Sequence, residues 1–161
     1  MTDPKTSALL TCINKISFFE EFSSIEKETL LKKASIFKKY DKKGTIIFSE
    51  EQKGSSMYVI LEGVIAITRA SFANDKKEQV TLAKLKKGSV LGEISLLSNQ
   101  SRTTSAITDS PLVIVMVIDK QMLESFDLGI QKLLNKKMIE ILIRRLDDMN
   151  KKYRNLKDSN T

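Results

Sequence analysis

The chain of 161 residues contains no histidine, and this absence excludes several classes of function. Histidine is the usual general base, a common zinc ligand and the side chain that titrates near neutral pH. Zinc chemistry and Ser-His or Cys-His catalysis are therefore not expected, and no metal site is predicted. The single cysteine, Cys12, excludes an internal disulfide and is typical of a reducing cytoplasm. Its apolar helical surroundings indicate a buried side chain rather than a nucleophile.

The sequence also lacks a run of about 18 apolar residues, so no transmembrane helix is predicted. Its N-terminal residues contain no basic region followed by a long apolar core, and a secretory signal is not expected. The length suits one domain that buries most of its apolar surface. We therefore expect a cytoplasmic protein without a membrane span.

Positive charge is concentrated in the C-terminal part of the chain. The net charge is +7, and residues 130–161 hold nine of the 27 basic but only four of the 20 acidic side chains. Such a basic segment can contact an acidic partner, nucleic acid or lipid head groups. A solvated, lysine-rich helix face is the simpler alternative, and the composition leaves both open.

The segment 91–106 combines side chains that suit a ligand with both a phosphate and sugar hydroxyls. It begins with Gly92 and Glu93, passes through a short apolar stretch, and ends with Arg102 and three hydroxyl residues. Glycine permits a close approach to a ligand, and a helix that begins near Glu93 would direct backbone N–H groups at an anion. Arg102 can bind phosphate oxygens in pairs, and Glu93 can accept from hydroxyls. A surface salt bridge between the two, worth about 0–1 kcal/mol, is the alternative.

The middle of the chain has the period of two that is typical of strands. Eight short strand-like segments are separated by turns rich in Gly, Lys, Asn and Asp, which indicates a closed or rolled antiparallel structure. The turn at 71–77 is predicted to be a polar, flexible hairpin tip. The eight segments are Ile36/Phe37, Thr45–Phe48, Met57–Leu61, Val64–Arg69, Glu78–Leu85, Val90/Leu91, Ser105–Thr108 and Leu112–Ile118.

Helices are predicted at both ends of the chain. A short helix over 6–16 precedes a second one that begins with a capping box at Ser23–Glu26 and runs to about Ala34. After the strands, Asp119 can cap a short helix through Ser125, and Gly129 is expected to end it.

The long helix predicted from Ile130 to about Lys157 has apolar residues spaced 3, 4, 3, 4, 3, which is the pattern of a coiled coil. This pattern favours a homodimer. A single amphipathic helix packed on its own domain is the alternative. The seam consists of Ile139, Leu142, Leu146, Met149, Tyr153 and Leu156.

Segment 91–106 resembles the phosphate-binding cassette of the cyclic nucleotide-binding domain family, which includes catabolite-activator-type regulators and protein kinase A regulatory subunits. The order of the pieces is also similar, because in that family the cassette falls between the sixth and seventh strands. Residues 43–67 are similar to the family's signature for strands 2–4, with Tyr58, Leu61 and Gly63 in the expected places. The resemblance covers roughly residues 17–155.

The resemblance implies an α+β fold: an antiparallel, jelly-roll-like β-roll of eight strands with N-terminal helices and a long C-terminal helix. The segments are then 1–34 (helical), 35–118 (the roll with cassette 91–106) and 119–161 (hinge and lid or dimerisation helix). It also implies a ligand, cAMP or cGMP, and no other cofactor. Arg102 and the N–H groups of Thr103 and Thr104 would hold the cyclic phosphate.

By the same resemblance, Glu93 and the Gly92 backbone would bind the ribose 2′-hydroxyl. The remaining cassette positions that would line the pocket are Leu91, Ile94 and Ser95. Arg144, Arg145 or an apolar neighbour on the long helix would cap the base, and no motif decides which. Two departures from the family pattern stand out. Glu51-Gln52 replace the usual Gly-Asp, and the cassette has Leu91 for Phe, Ser101 for Pro and Thr104 for Ala.

The favoured function is a non-catalytic cyclic nucleotide sensor whose ligand repositions the C-terminal helix and which signals to an unidentified effector protein. A degenerate family member that binds no nucleotide and acts as a dimeric interaction module is the alternative. Direct DNA binding is not expected, since only Asp158–Thr161 follow the long helix and leave no room for a helix-turn-helix module. A phosphodiesterase is the weakest interpretation, because carboxylate clusters and histidines for metals are lacking.

Overall fold

The computed structural model describes residues 4–33, 36–73 and 76–159 of the chain. Two compact units divide between Ser125 and Phe126. The first begins with helix α1 (Pro4–Ile13), a 3-10 turn (Ser17–Phe19) and helix α2 (Ser24–Lys32). The predicted capping box of α2 is confirmed, because Ser23 and Glu26 exchange side-chain to backbone hydrogen bonds. The predicted end of this helix at Ala34, and the boundary between segments 1–34 and 35–118, lie outside the described residues.

Eight strands form the body of the first unit, as predicted. They are β1 (Phe37–Tyr40), β2 (Ile46–Phe48), β3 (Ser56–Glu62), β4 (Ile65–Ala73), β5 (Lys76–Leu85), β6 (Val90–Leu91), β7 (Ser105–Thr108) and β8 (Val113–Asp119). All their pairings are antiparallel. One sheet has the order β1-β8-β3-β6 and the other β2-β7-β4-β5.

The core of the roll is an apolar cluster contributed by strands of both sheets. It includes Phe48 of β2, Tyr58 of β3, Leu91 of β6 and Ala106 of β7. A second apolar group precedes the strands, where the Phe18 and Phe19 rings meet edge to face with centroids 4.9 Å apart. Burial of such side chains is the main stabilising term of a fold of this size.

The β4–β5 hairpin is longer than the sequence indicated. β4 pairs with β7 only over Ile65–Thr68, whereas its pairing with β5 continues to Ala73 and Lys76. The prediction of a flexible tip over 71–77 is therefore wrong for Ser71–Ala73 and Lys76–Lys77, which belong to the strands; residues 74 and 75 lie outside the described chain. Cross-strand hydrogen bonding outweighs the polar composition of this segment.

After β8, helix α4 (Lys120–Ser125) is capped as predicted, with the Met122 N–H donating to Asp119 Oδ1 over 2.7 Å. The second unit is built on helix α5 (Leu128–Ser159). Gly129 lies inside its first turn, so the prediction that Gly129 separates the helices is wrong. The break occurs earlier, because Asp127 Oδ1 accepts from the Ile130 N–H and caps α5. Within the described residues, no helix has the length and apolar character that a bilayer crossing requires.

Candidate functional site

The cassette begins at a sharp bend between β6 and helix α3 (Glu93–Ser98). Gly92 makes this bend in the left-handed region, with φ of +82°. A Cβ at this position would lie 2.6 Å from the Ser56 carbonyl oxygen and 2.6 Å from Arg102 Nη1. Position 92 therefore requires glycine both for its backbone conformation and for the close approach of two neighbours.

Arg102 is the central side chain of the site, and it is buried to 5% exposure. Its Nη1 donates to the Gly92 carbonyl oxygen over 3.1 Å. Its Cζ lies 4.3 Å from the centroid of the Phe48 ring and 5.7 Å from that of Tyr58. Gly54 leaves space for this arrangement, since a Cβ there would lie 2.9 Å from both Nε and Nη2. The guanidinium thus stacks on the aromatic edge of the core.

The electrostatics of Arg102 reflect its burial. Desolvation lowers the pKa of the guanidinium from its ordinary value, while Tyr58 and Glu93 act in the opposite direction. Arginine nevertheless stays charged in proteins. Among the residues that the structure describes, Arg102 Nε has no hydrogen-bond partner. A buried cation with an unused donor is unfavourable by itself, so the site is suited to an anionic acceptor.

The other predicted site residues differ in exposure. Glu93 is 1% exposed, and its carboxylate acts to raise the pKa of the Arg102 guanidinium. Leu91 and Ser95 are buried, and Leu91 belongs to the core cluster. The side chains that reach solvent are Ile94 and Thr103, which are exposed, and Thr104, which is half-buried. Arg144 is exposed and Arg145 half-buried on α5, so their role at the base stays a prediction.

Sequence reasoning missed the loop that holds the Arg102 backbone. The Glu51 N–H donates to the Arg102 carbonyl oxygen over 2.8 Å, and the Arg102 N–H donates to the Gln52 carbonyl oxygen over 2.9 Å. Glu51 adopts φ of +67°, a left-handed conformation that disfavours side chains. This is the position at which the family usually has glycine. The departure from its Gly-Asp pattern was therefore the sequence signal that could have identified this loop as part of the site.

Phe48 and Gly54 were also missed as site residues, although both contact the guanidinium. Phe48 reads in the sequence as an ordinary core position of a strand, and no local pattern distinguishes it. Gly54 stands in a polar turn, where glycine is common for reasons unrelated to a ligand. Only the packing shows that both positions lie next to Arg102.

A cavity of about 720 Å³ lies next to this loop, at the β2-β7-β4-β5 sheet. Glu50 and Glu51 of the loop, Ser105 of β7, and Arg69 and Phe72 of β4 are among the residues that line it. Ser105 Oγ accepts from the Glu50 N–H over 2.8 Å. Glu93 and Arg102 do not line this cavity, so it is separate from the site around the guanidinium.

Comparison with known proteins identifies the architecture. The family model described as cyclic nucleotide-binding domain matches residues 38–127. Human cGMP-dependent protein kinase 2 is 28% identical over 82 residues, which are 51% of this chain but only 10% of the kinase. The chain thus spans about a tenth of that relative's length.

Two solved structures share the fold. The catabolite activator protein of Thermus thermophilus has a TM-score of 0.68 at 22% identity, over 87% of this chain and 62% of that one. The regulatory domain of Toxoplasma gondii PKA, crystallised with cAMP, has a TM-score of 0.64 at 18% identity, over 84% and 50%. Because the family model matches more than half of the residues, including the whole 91–106 segment, this chain belongs to the cyclic nucleotide-binding domain family.

Proposed function

We propose that the chain is a non-catalytic sensor that binds a cyclic mononucleotide, with cAMP as the first candidate and cGMP as the second. The observation that carries this proposal is the buried Arg102 guanidinium: among the described residues its Nε has no hydrogen-bond partner, while its Nη1 donates to the Gly92 carbonyl oxygen. Binding requires no metal and no further cofactor. The similarity to a kinase covers only a tenth of that enzyme.

Arg102 and the N–H groups of Thr103 and Thr104 bind the cyclic phosphate. The Gly92 carbonyl already accepts from Arg102, so the Glu93 carboxylate is the main acceptor for the ribose 2′-hydroxyl. Leu91, Ile94 and Ser95 line the pocket. Because the guanidinium packs on Phe48, the phosphate either reaches its remaining N–H groups or shifts the side chain to a new rotamer.

The choice between the two nucleotides rests on the base. The named relatives give precedents for both, since one is a cGMP-dependent kinase and the other is a PKA domain that was crystallised with cAMP. Thr103, whose N–H is assigned to the phosphate, also has an exposed side chain with a hydroxyl that either base could contact. Both nucleotides therefore belong in every binding experiment.

Calorimetry of Arg102→Ala tests the proposal. Loss of the charge-assisted contact removes about 1.5–3 kcal/mol, which is roughly a 10- to 150-fold loss of affinity. Arg154→Ala, which removes an exposed arginine of α5, is the control and keeps the wild-type affinity. Circular dichroism establishes that both variants are folded. Equal cAMP and cGMP affinities for wild type and Arg102→Ala would contradict the assignment.

Ligand binding is proposed to favour one placement of α5, with Arg144 or Arg145 capping the base. The support is that α5 belongs to a compact unit of its own, joined to the first unit at Ser125 and Phe126. A ligand shifts such an equilibrium only by its differential affinity for the two states. Spin labels on β5 and on α5 measure the change: the distance distribution narrows or moves with cAMP, and an unchanged distribution contradicts repositioning.

A second function, a scaffold that binds no nucleotide, is favoured by one observation. The protein itself engages Arg102 through the Gly92 carbonyl and the Phe48 ring. A thermal-shift titration separates the two functions, because a ligand that binds only the native state raises the midpoint of unfolding. A midpoint unchanged by millimolar cAMP and cGMP supports the scaffold.

The proposed assembly is a homodimer through the α5 seam, located in the cytoplasm and coupled to an effector protein. Five of the six seam residues are more than half exposed, from 52% at Ile139 to 66% at Met149. Long helices with an exposed apolar face gain most of their stability from packing against another surface. Sedimentation equilibrium of the full chain measures the dimer.

A further inference from the structure

The apolar seam of α5 is flanked by charges of one sign. When Ile139 is assigned heptad position a, the six seam residues occupy positions a and d alternately, ending with Leu156 at d. The flanking e and g positions are Ile143, Arg145, Asn150, Lys152, Lys157 and Ser159. Every charged side chain among them is basic.

The carboxylates of this helix lie elsewhere on its circumference. Glu140 and Asp147 take position b, Asp148 takes c and Asp158 takes f, all directed away from the seam. Nearer the seam, Lys157 Nζ lies 5.6 Å from the centroid of the Tyr153 ring. The carboxylates are thus confined to positions away from the seam, whereas basic side chains occur both beside the seam and on the outer face.

A second copy of this helix is a poor electrostatic match for such a seam. In a parallel pair, position g faces position e of the next heptad of the partner, which brings Lys152 opposite Lys157. In an antiparallel pair, e faces e and g faces g, and the charged groups that meet are again basic. Like charges at these positions weaken pairing and help to set the choice of partner.

We propose that the preferred occupant of the α5 seam is an amphipathic helix of a different protein, with apolar a and d residues and carboxylates at its e and g positions. The homodimer is then the weaker assembly, formed when such a helix is lacking. This inference rests on the assembly surface of the proposed function and not on nucleotide binding. Salt screens both attraction and repulsion between the flanking charges. The affinity of the mixed pair therefore falls with added salt, whereas the affinity of the homodimer rises.

Two synthetic peptides test the proposal with the full chain. Both have three heptads with Ile at a and Leu at d, and they carry either Glu or Lys at every e and g position. Fluorescence anisotropy at 50 mM and 500 mM NaCl measures their affinities. The Glu peptide binds at least tenfold more tightly than the Lys peptide at low salt, and this preference shrinks at high salt. Equal binding of both peptides, or binding of neither, overturns the proposal.

Charge reversal at the flanks provides the matched comparison. The double substitution Lys152→Glu and Lys157→Glu moves the preference towards the Lys peptide. Lys151→Glu with Arg154→Glu changes the net charge equally, but at positions f and b, and keeps the preference for the Glu peptide. If both pairs shift the preference alike, binding follows overall charge rather than the seam, and the proposal is wrong. A wild-type homodimer that is tighter than the Glu-peptide complex also overturns it.

Leu146→Asp, which places a carboxylate in the exposed seam, abolishes binding of the Glu peptide. The thermal shift of this variant with cAMP separates the two proposals. A retained shift with lost peptide binding supports the seam as an independent surface. Unchanged peptide binding overturns the seam assignment, whatever the nucleotide result.

Discussion

The Arg102 guanidinium is tied to the backbone of Gly92, ten residues earlier, by a 3.1 Å hydrogen bond from Nη1 to the carbonyl oxygen. A Cβ added to the same glycine would collide with Nη1 of that guanidinium. The glycine and the arginine of the cassette are therefore one structural unit. A side chain introduced at Gly92 or at Gly54 is therefore expected to displace the Arg102 guanidinium.

Gly92→Ala is expected to reduce both stability and cyclic nucleotide affinity. Its strained backbone costs about 1–2 kcal/mol, and the new Cβ displaces Arg102 or the Ser56 carbonyl. Gly44→Ala is the matched control, because Gly44 has φ of +84° but no atom within 4 Å of the place that a Cβ would take. Urea unfolding and calorimetry compare the two. Loss of affinity in both variants would show that strain alone explains the effect.

Gly54→Ala is expected to weaken nucleotide binding with little change in stability. Its Cβ would meet Nε and Nη2 of Arg102, which are the far end of a flexible side chain and can move. The backbone of Gly54 is not left-handed, so alanine adds no strain there. Calorimetry with cAMP and cGMP measures the change. Wild-type affinity in this variant would mean that the position of the guanidinium beside Gly54 is irrelevant to binding.

Glu51→Gly is expected to stabilise the fold by about 0.5–1 kcal/mol. Relief of the left-handed strain outweighs the greater entropy of glycine in the unfolded chain. Lys53→Gly, in the same loop without a positive φ, destabilises and serves as the control. Denaturant unfolding monitored by circular dichroism measures both. A less stable Glu51→Gly protein would indicate that contacts of the Glu51 side chain stabilise the fold by more than the left-handed strain costs.

Asp109 makes part of the stability dependent on pH. Its carboxylate lies 2.7 Å from Lys84 Nζ and 3.1 Å from Lys43 Nζ, and hydrogen bonds from these two lysines lower its pKa from the ordinary 3.8. A carboxyl with a depressed folded pKa contributes stability above its ordinary pKa and loses it as the pH falls through the folded value. Asp109→Asn is therefore less stable than wild type at pH 7.

The difference between wild type and Asp109→Asn is expected to shrink below pH 3.8 and to vanish when the wild-type carboxyl is protonated. Thermal unfolding at pH 7, 4 and 2.5 follows this change. Asp41→Asn, at an exposed aspartate after β1, is the control and shows no comparable loss at pH 7. A difference that stays constant across the range would show that the two lysines do not act through the charge of Asp109.

Local patterns located most elements of the chain, and the two wrong predictions have different physical causes. Alternation of apolar residues placed eight strands within a few residues, and the capping residues Ser23 and Asp119 marked their helices. The distal β4–β5 hairpin was missed because its polar sequence gives no strand signal, while cross-strand bonds hold it. The prediction for Gly129 was wrong because Asp127 caps α5, which therefore begins at Leu128, before the glycine.

The spacing of Gly92, Glu93 and Arg102, the eight-strand pattern and the basic flanks of the α5 seam can be read from the amino-acid order alone, because they depend only on which residue type stands at which position. The fold was needed to show that Arg102 lies buried on Phe48, close to Gly54 and Gly92, and that Glu51, itself in a strained conformation, holds the Arg102 backbone by a hydrogen bond. Arg102 follows Phe48 by 54 residues and Gly54 by 48 residues in the chain. Their contact exists because two sheets close on a common core, which no local pattern encodes.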